Sequence, residues 1–221
     1  MQILKNMEHC VEEVRHWMRH NYLKLNDSKT EFLVISRKGS KAFNLSEVQS
    51  FCMGSDVIEA GTSAKNIGAI LDCHLTMEQQ VGNVCRNCYI ELRKISEIRK
   101  YISDETAATL VNAVVTSKLD CLNSLLYGLP DYLLRRLQLV QNNAARVVAR
   151  VKRAESITPI LKKLHWLPIS FRIEYKVLLL CFKCIYGCAP VYLSELLSLY
   201  VPTRNLISSF QNLLVQPNAK L

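Results

Sequence analysis

Hydrophobic residues recur every three or four positions over most of this chain, which is the spacing of amphipathic helices. One such pattern predicts a helix over residues 3–21, and a longer helical region begins at Thr76, which forms a capping-box sequence with Gln79. Between them, a turn at 26–28 and short apolar segments predict strands at 30–35, 43–45, 49–53, 56–59 and 66–71. The chain is therefore expected to be α+β, with a small helix-plus-antiparallel-strand unit over 1–75 and a mostly α-helical bundle over 76–221.

Start and stop signals divide the bundle into helices over 76–101, 103–126, 131–151 and 170–187, with shorter ones at 158 and over 191–200. Ser103 and Ser170 are the expected caps of two of them. The first helix is expected to turn Ile3, Met7, Cys10, Val14, Trp17 and Met18 inward. The 76–101 helix should bury Met77, Val81, Val84, Cys88, Leu92, Ile95 and Ile98, and the 131–151 helix should bury Leu133, Leu137, Val140, Ala144, Val147 and Val151.

The 131–151 helix and the residues after it carry unbalanced positive charge. Arg135, Arg136, Arg146, Arg150, Lys152 and Arg153 lie off the apolar stripe, and no carboxylate follows Asp131 until Glu155. The whole chain of 221 residues has 28 Lys and Arg against 19 Asp and Glu. Such charge favours an anionic partner, either nucleic acid or an acidic membrane surface. The placement of the charge favours nucleic acid over a basic protein with no specific anionic ligand.

Other sequence features bear on location and metals. The longest strongly apolar run, residues 177–182, is far shorter than the ~20 residues of a membrane helix. Charges also interrupt the N-terminal stretch where a signal peptide needs an apolar core. An intracellular protein of the nucleus or cytoplasm, with no membrane partner and reduced cysteines, is expected. The C-x-x-C pairs Cys85/Cys88 and Cys181/Cys184 suit zinc, but their place in helical patterns favours core cysteines, so no metal site is assigned.

Several segments carry a family resemblance. Residues 117–130 read SKLDCLNSLLYGLP, residues 137–146 read LQLVQNNAAR, and residues 165–168 read HWLP. These segments resemble the region downstream of the catalytic palm in reverse transcriptases of LINE-type (non-LTR) retrotransposons, especially the jockey-like and chicken-repeat-like clades. The similarity extends from about Val14 to the C-terminus. It implies the palm end and thumb-like region of an RNA-directed DNA polymerase, which would bind RNA, DNA or an RNA–DNA hybrid non-specifically.

The resemblance implies roles for two N-terminal segments. Residues 25–30 are similar to the L-N-x-x-K-T turn of the palm, which implies that Lys29 is a general acid toward pyrophosphate in an intact enzyme. The alternative is an Asx-turn with a solvated lysine. Residues 66–72 resemble the primer-grip segment, where Gly68 would permit close approach of the backbone. The alternative is a strand that contains an ordinary glycine.

Two further features remain open between a functional and a structural role. The 76–101 helix offers Arg86, Arg93, Lys94, Arg99 and Lys100. In the thumb these side chains would meet phosphates, but Glu91 and Glu97 could make the same surface a mixed, solvated face. His165 has no recognisable nucleophile partner, which favours a packed Trp166 beside a turn-forming proline over a catalytic histidine.

The catalytic metal site of a polymerase is missing from this sequence. The two-metal mechanism needs closely placed carboxylates, which the family supplies in an aromatic-Ala-Asp-Asp hairpin, whereas no two aspartates are adjacent here. The chain is expected to start after that hairpin, to hold no cofactor where the intact enzyme binds magnesium, and to be inactive alone. Non-specific nucleic-acid binding is the leading hypothesis. The alternatives are an active reverse transcriptase, if a longer product or another chain supplies the aspartates, and a helical interaction module whose Met-, Cys- and Leu-rich surfaces dock a partner helix. The apolar stretch 177–186 needs such cover, and exposed apolar surface also favours self-association.

Overall fold

The computed structural model describes residues 2–37, 50–53, 56–201 and 213–216. Its chain is α+β, as predicted, and divides into two compact units, Met1–Asn87 and Cys88–Leu221. The elements of the first part are α1 (Gln2–His20), β1 (Phe32–Leu33), β2 (Ser50–Met53), β3 (Asp56–Gly61), β4 (Ser63–Asn66) and β5 (Ala69–Asp72). The helices that come next are α2 (Glu78–Ile98), α3 (Asp104–Val111), α4 (Ser117–Asp120), α5 (Asp131–Ala149), α6 (Thr158–Lys163), α7 (Ile169–Ile185) and α8 (Val191–Ser194). The strand predicted at 43–45 lies outside the described residues.

Helix α1 is rotated relative to the prediction. Its half-buried side carries Leu4, Val11 and Met18, which repeat every seven residues and face strand β2. Cys10, Val14 and Trp17, expected to point inward, are exposed. The error arises because two neighbouring stripes of this helix are both apolar, and only packing against the sheet decides between them.

The strands form two small sheets in the Met1–Asn87 unit. In the three-stranded sheet, β3 pairs in parallel with β1 and antiparallel with β2. Strand β2 alternates as a half-buried strand should, with Phe51 and Met53 buried and Ser50 and Cys52 on the other face.

Residues 63–72 form a β-hairpin instead of the single strand predicted over 66–71. Strands β4 and β5 are antiparallel, and Asn66 pairs with Ala69 across a two-residue turn. Both turn residues have positive φ, 47° at Ile67 and 88° at Gly68, which is the conformation that tight hairpins require. The single-strand prediction is wrong because this turn has an isoleucine at its first position, so the apolar run hides the turn.

Asp72 holds the loop that precedes α2. The hydroxyl of Thr76 accepts the N–H of Glu78, the first residue of the helix, at 3.4 Å. The N–H of Thr76 donates to Asp72, whereas the predicted capping box requires it to donate to Gln79. One carboxylate oxygen of Asp72 accepts the N–H groups of His74 and Thr76, each at 3.0 Å. The other accepts the N–H of Met77 at 2.9 Å and the hydroxyl of Thr76 at 3.0 Å. Burial alone would raise the pKa of Asp72, but these hydrogen bonds outweigh it and hold the pKa below its ordinary value.

Helix α2 buries a slightly different stripe from the predicted one. Cys85 and Arg99 point inward, whereas Val84 is half-buried and Ile98 is exposed. Cys85 and Cys88 are both buried, so they occupy the core positions that their helical spacing predicted.

The Cys88–Leu221 unit is a helical bundle around α5. Helix α5 packs on α3, α6 and α7. Its buried side includes Val148 rather than the predicted Val147, which is half-buried. The largest buried side chains of this unit come from several helices: Leu92, Ile95, Val111, Val115, Leu119, Leu126, Leu133, Leu137, Val140, Val148, Leu161, Trp166, Ile169 and Ile173.

The helix predicted over 103–126 is shorter and contains an irregular turn. The Ser103 hydroxyl caps its start, as predicted, by accepting the N–H of Thr106 at 3.1 Å. A single π-helical turn, Asn112–Thr116, joins α3 to α4. Helix α4 ends at Asp120, and a 3-10 turn over Asn123–Leu126 comes after it.

The last helices start and stop differently from the prediction. Pro168, not Ser170, occupies the N-cap of α7. The N–H of Ile169 donates instead to the side chain of Gln138 on α5 at 2.8 Å. Helix α8 has four residues, which is less than half of the predicted 191–200 helix. Within the described residues, no helix is long and apolar enough to cross a membrane.

Candidate nucleic-acid interface

The exposed side of α5 carries two neighbouring arginines in the N-terminal half of the helix. Arg135 and Arg136 are both exposed, and within the described residues neither side chain forms an ion pair or a hydrogen bond. Leu139, Asn142 and Arg146 lie after Arg135 at helical spacing and extend the same face toward the C-terminus of the helix. We refer to this surface, defined by Arg135, Arg136 and Arg146, as the α5 basic face.

The arginines at the end of α5 have partners within the protein. Arg150 takes a left-handed conformation with φ of 55° and ends the helix, and its Nη2 donates to the carbonyl of Ile102 at 2.9 Å. Its Nε lies 3.5 Å from the carboxylate of Asp104. Arg146 reaches the carbonyls of Arg153 and Glu155 through longer contacts of 3.5 and 3.4 Å. The positive charge here therefore serves partly to satisfy carbonyl groups at a helix C-terminus.

Arg99 supports this end of α5. The expectation that it lies on a phosphate-facing surface is therefore wrong. Its guanidinium is 7% exposed and donates to the carbonyls of Val147 at 2.8 Å and Val148 at 2.7 Å. It also donates to the carbonyl of Ile102 at 2.9 Å and pairs with the carboxylate of Asp104. The bond from Arg99 holds the pKa of Asp104 below its ordinary value. Arg99 is therefore a structural residue.

A second group of cations lies beyond the end of α5. Lys152 and Arg153 are exposed in the connection to α6, and the N–H of Lys152 donates to the Glu155 carboxylate at 3.1 Å. Lys163, in the last turn of α6, is exposed and lies close enough to Asp104 to contribute to the low pKa of that carboxyl. Lys163 was not predicted from the sequence, because α6 is short and its position beside α5 is a tertiary feature.

The basic residues of α2 differ among themselves. Arg86 and Arg93 are exposed, and neither has an ion pair with another described residue. Lys94 instead pairs with Glu91 at 3.4 Å, and Lys118 of α4 pairs with the same carboxylate at 3.3 Å. The hydrogen bond from Lys118, with a smaller effect of Lys94, holds the pKa of Glu91 below its ordinary value. At Lys94 the face is therefore mixed in charge, as the alternative interpretation proposed.

A hydrogen bond connects α2 to the α5 basic face. The side-chain amide of Asn143 donates to the hydroxyl of Tyr89 at 3.2 Å. Tyr89 is 42% exposed, and Arg93 lies one helical turn after it. The surface around Arg136 and Asn143 therefore continues onto α2 through an aromatic ring. Tyr89 was not predicted from the sequence, where its only signal was its position four residues before Arg93.

The motifs that carry the family resemblance meet in a partly buried polar network. Asp120 accepts Nη1 of Arg172 at 2.7 Å, and Nε of Arg172 donates to the carbonyl of Leu167 at 2.9 Å. The same carbonyl accepts the side chain of Gln141, which is 2% exposed, at 2.8 Å. Gln138 donates to Gln141 at 2.9 Å. These residues fasten the HWLP loop to α4 and α5.

His165 and Trp166 occupy different environments in that loop. His165 is exposed and takes a left-handed conformation with φ of 55° just after α6 ends. Trp166 is buried, in the packed position that the sequence favoured. His165 also lines a cavity of about 270 Å³ with Asp120 and Arg172. The loop is thus held in place by packing and by the polar network around it.

The two N-terminal residues with family-implied roles lie in turns. Lys29 is exposed at the end of a 3-10 turn, where its N–H donates to the carbonyl of Asn26 at 3.1 Å. Ser28 donates to the side chain of Asn26 at 2.7 Å, so the segment is a hydrogen-bonded turn. A Cβ added to Gly68 would meet nothing within 4 Å. Glycine is therefore explained there by its positive φ.

The described carboxylates do not provide a site for a pair of magnesium ions. Three of the six aspartates have other partners: Asp72 holds the loop before α2, Asp104 pairs with Arg99, and Asp120 pairs with Arg172. Within the described part of the chain, no three His, Cys, Asp or Glu side chains gather into a group that could hold a metal ion. Among the described residues, the carboxylates are therefore not gathered as a paired metal centre requires.

Searches of protein-family models, curated proteins and solved structures give no match to this chain.

Proposed function

We propose that this chain is the palm end and thumb-like region of a LINE-type reverse transcriptase, and that by itself it binds RNA, DNA or their hybrid without sequence specificity. The α5 basic face is the proposed contact surface, extended by Arg93 on α2 and by Lys152 and Arg153. Binding would occur in the nucleus or cytoplasm. The proposal combines the sequence resemblance with one structural observation, the exposed pair Arg135 and Arg136.

Exposed, unpaired arginines favour a phosphate partner for a physical reason. A guanidinium that already has a carboxylate partner gains little from a phosphate, whereas Arg135 and Arg136 have no partner among the described residues. Their planar side chains can donate two parallel hydrogen bonds to a phosphate. Tyr89 and Asn143 add polar and aromatic groups beside them. Such a surface supports backbone contact without base readout.

The arginine pair can be tested with a matched pair of double variants. Arg135→Gln with Arg136→Gln removes two unpaired charges, and Lys94→Gln with Lys118→Gln removes two charges that pair with Glu91. Both changes lower the net charge equally. Affinity for an RNA–DNA hybrid, measured by fluorescence anisotropy over a salt series, should fall mainly for the arginine variant. If both arginines contact phosphates, the slope of log affinity against log salt should flatten by about 1.8 for a duplex partner.

Two outcomes would contradict this interface. Equal losses in both double variants would show that net charge alone governs binding, because the two variants differ only in where the charge was removed. An unchanged salt slope after loss of both arginines would show that they do not contact phosphate. Circular dichroism of each variant should match that of the parent chain, because all four side chains lie at the surface or at its edge.

Polymerase activity is proposed to be absent from this chain alone. The described carboxylates do not form a paired metal site, so primer extension on a homopolymer template should give no incorporation at any magnesium concentration. Incorporation by the purified chain would overturn this. The alternative of an active enzyme requires a longer product that supplies the aspartates. In that product, Lys29→Ala should lower the rate of incorporation if this lysine acts toward the pyrophosphate.

Self-association is a second candidate activity, because α7 has an exposed apolar stripe. Phe171, Tyr175, Leu178 and Phe182 are all more than half exposed and have the four-three-four spacing of a coiled-coil seam. An apolar helix face of this kind is covered in most proteins. Light scattering over a concentration series tests whether copies of the chain pair, and a monomer at all concentrations would refute it.

A further inference from the structure

The C-terminal half of α1 presents two histidines one helical turn apart. His16 and His20 are both exposed, and their ring centroids lie 4.2 Å apart with an angle of 57° between the ring planes. Residues four apart on a helix project from the same face. Two imidazoles at this spacing can ligate one metal ion in neighbouring coordination positions, since metal–nitrogen bonds are about 2.0–2.1 Å long for zinc.

The hydrogen bond of His20 prepares its ring for metal binding. Its Nδ1 lies 3.0 Å from the carbonyl oxygen of His16. A carbonyl can only accept a hydrogen bond, so this contact requires the proton on Nδ1, and in a neutral ring that leaves the lone pair on Nε2. Histidines that ligate metals commonly donate their second nitrogen to a backbone carbonyl or a carboxylate in this way, which fixes the tautomer and the ring orientation.

The surroundings of the pair are acidic and open. His16 and His20 line an open cavity of about 670 Å³ together with His9, Glu12, Glu13 and Trp17. The ring of His9 lies 3.7 Å from the Glu13 carboxylate, so the carboxylates line the same side of the helix as the histidines. Their negative charge favours a nearby cation. Within the described residues, however, no third side chain joins the pair closely enough to complete a three-ligand group.

We propose that His16 and His20 form a binding site for a divalent transition-metal ion. Imidazole nitrogens favour copper, nickel and zinc over magnesium and calcium, which prefer oxygen ligands. Two protein ligands leave several coordination positions to water, so the site is open and is expected to bind more weakly than a four-ligand structural zinc site. This site is independent of the α5 basic face and of the proposed nucleic-acid binding.

Nickel chloride is the probe, and the full-length chain is the sample. Calorimetric titration should show that His16→Ala and His20→Ala each lower nickel affinity about tenfold or more, because each removes one of the two protein ligands. His9→Ala is the matched control, since it removes an exposed histidine from the same cavity that has no part in the pair. It should leave the affinity within about twofold of the parent value.

Trp17 provides a second readout that is specific to the site. It is exposed and lines the same cavity, whereas Trp166 is buried in the Cys88–Leu221 unit. Nickel should therefore quench the emission of Trp17, and Trp17→Phe should abolish the quenching while calorimetric affinity persists. The nine cysteines of the chain can also bind nickel, but they are common to all these variants and cancel in the comparison.

A rescue variant tests the spacing directly. In a His20→Ala background, Glu12→His restores two histidines four residues apart, now at positions 12 and 16, and should recover most of the lost affinity. Circular dichroism should show unchanged helix in every variant. The proposal is overturned if the double variant His16→Ala with His20→Ala keeps the parent affinity, or if His9→Ala loses as much affinity as either single change. Failure of rescue with intact helix would also count against the chelating pair.

Discussion

Replacement of Arg99 by methionine is expected to destabilise the Cys88–Leu221 unit by about 3–6 kcal/mol. The last four carbonyls of a helix have no partner within that helix, and Arg99 serves two of these in α5, those of Val147 and Val148. It also serves the carbonyl of Ile102. Methionine keeps an unbranched, helix-compatible stem but removes every donor. The figure comes from three buried, charge-assisted bonds to carbonyls at roughly 1–2 kcal/mol each, with no contribution counted for the exposed Asp104.

Arg93→Met is the matched control for this prediction. It lies on the same helix, removes the same charge, and takes away an exposed side chain without an ion pair to any described residue, so a change within about 0.5 kcal/mol is expected. Arg99→Lys should fall between the two, because one ammonium group cannot reach the three carbonyl acceptors that the planar guanidinium contacts.

Urea unfolding followed by Trp166 fluorescence in a Trp17→Phe background reports on the correct unit. Trp166 is buried in the bundle, and removal of Trp17 eliminates the signal from the other unit. The reasoning would be refuted if Arg99→Met cost less than about 1 kcal/mol, or no more than Arg93→Met. Either result would show that the α5 carbonyls find other partners or water when the guanidinium is lost.

Two further predictions concern other buried polar groups. The folded-state pKa of Asp72 is depressed below its ordinary value of 3.8, so its stabilising effect should be complete above that value and lost as pH falls through the lower, folded-state pKa. Acid unfolding followed by circular dichroism checks this. Asp72→Asn should be less stable than the parent chain at pH 7, and it should lose less stability than the parent as the pH falls. Gln141→Leu should cost about 1–3 kcal/mol in urea unfolding, since it removes the bond to the Leu167 carbonyl, whereas exposed Gln79→Leu should be nearly neutral.

Hydrophobic spacing predicted the α+β class and the main helices, but it did not predict their rotation. In α5 the expected inward residue Val147 is half-buried and Val148 is buried. Two consecutive valines are equally apolar, so the pattern cannot distinguish them, and packing against α3, α6 and α7 decides. The same ambiguity in α1 led to the prediction that Trp17 is buried, although it is exposed.

Long-range polar contacts were not predictable from the sequence. Arg99 lies in a helical run of basic residues and looks like a surface cation, yet its acceptors Val147 and Val148 lie almost fifty positions further along the chain. Asp72 holds the loop before α2 because the β4–β5 hairpin brings its carboxylate to the N–H groups of that loop, and the local sequence gives no sign of this contact. By contrast, Arg135 and Arg136 were predicted as exposed cations, because helix α5 itself fixes their side relative to the buried stripe.

The π turn at Asn112–Thr116 allows the chain length to change at one point without disturbing the helix that comes after it. A π turn closes its hydrogen bonds over one more residue than an α turn does. Deletion of a single residue there would let regular α-helix run through from α3 to α4 and would keep Asp120 directed toward Arg172. The same deletion elsewhere in α3 would rotate Asp120 by about 100° and break that contact.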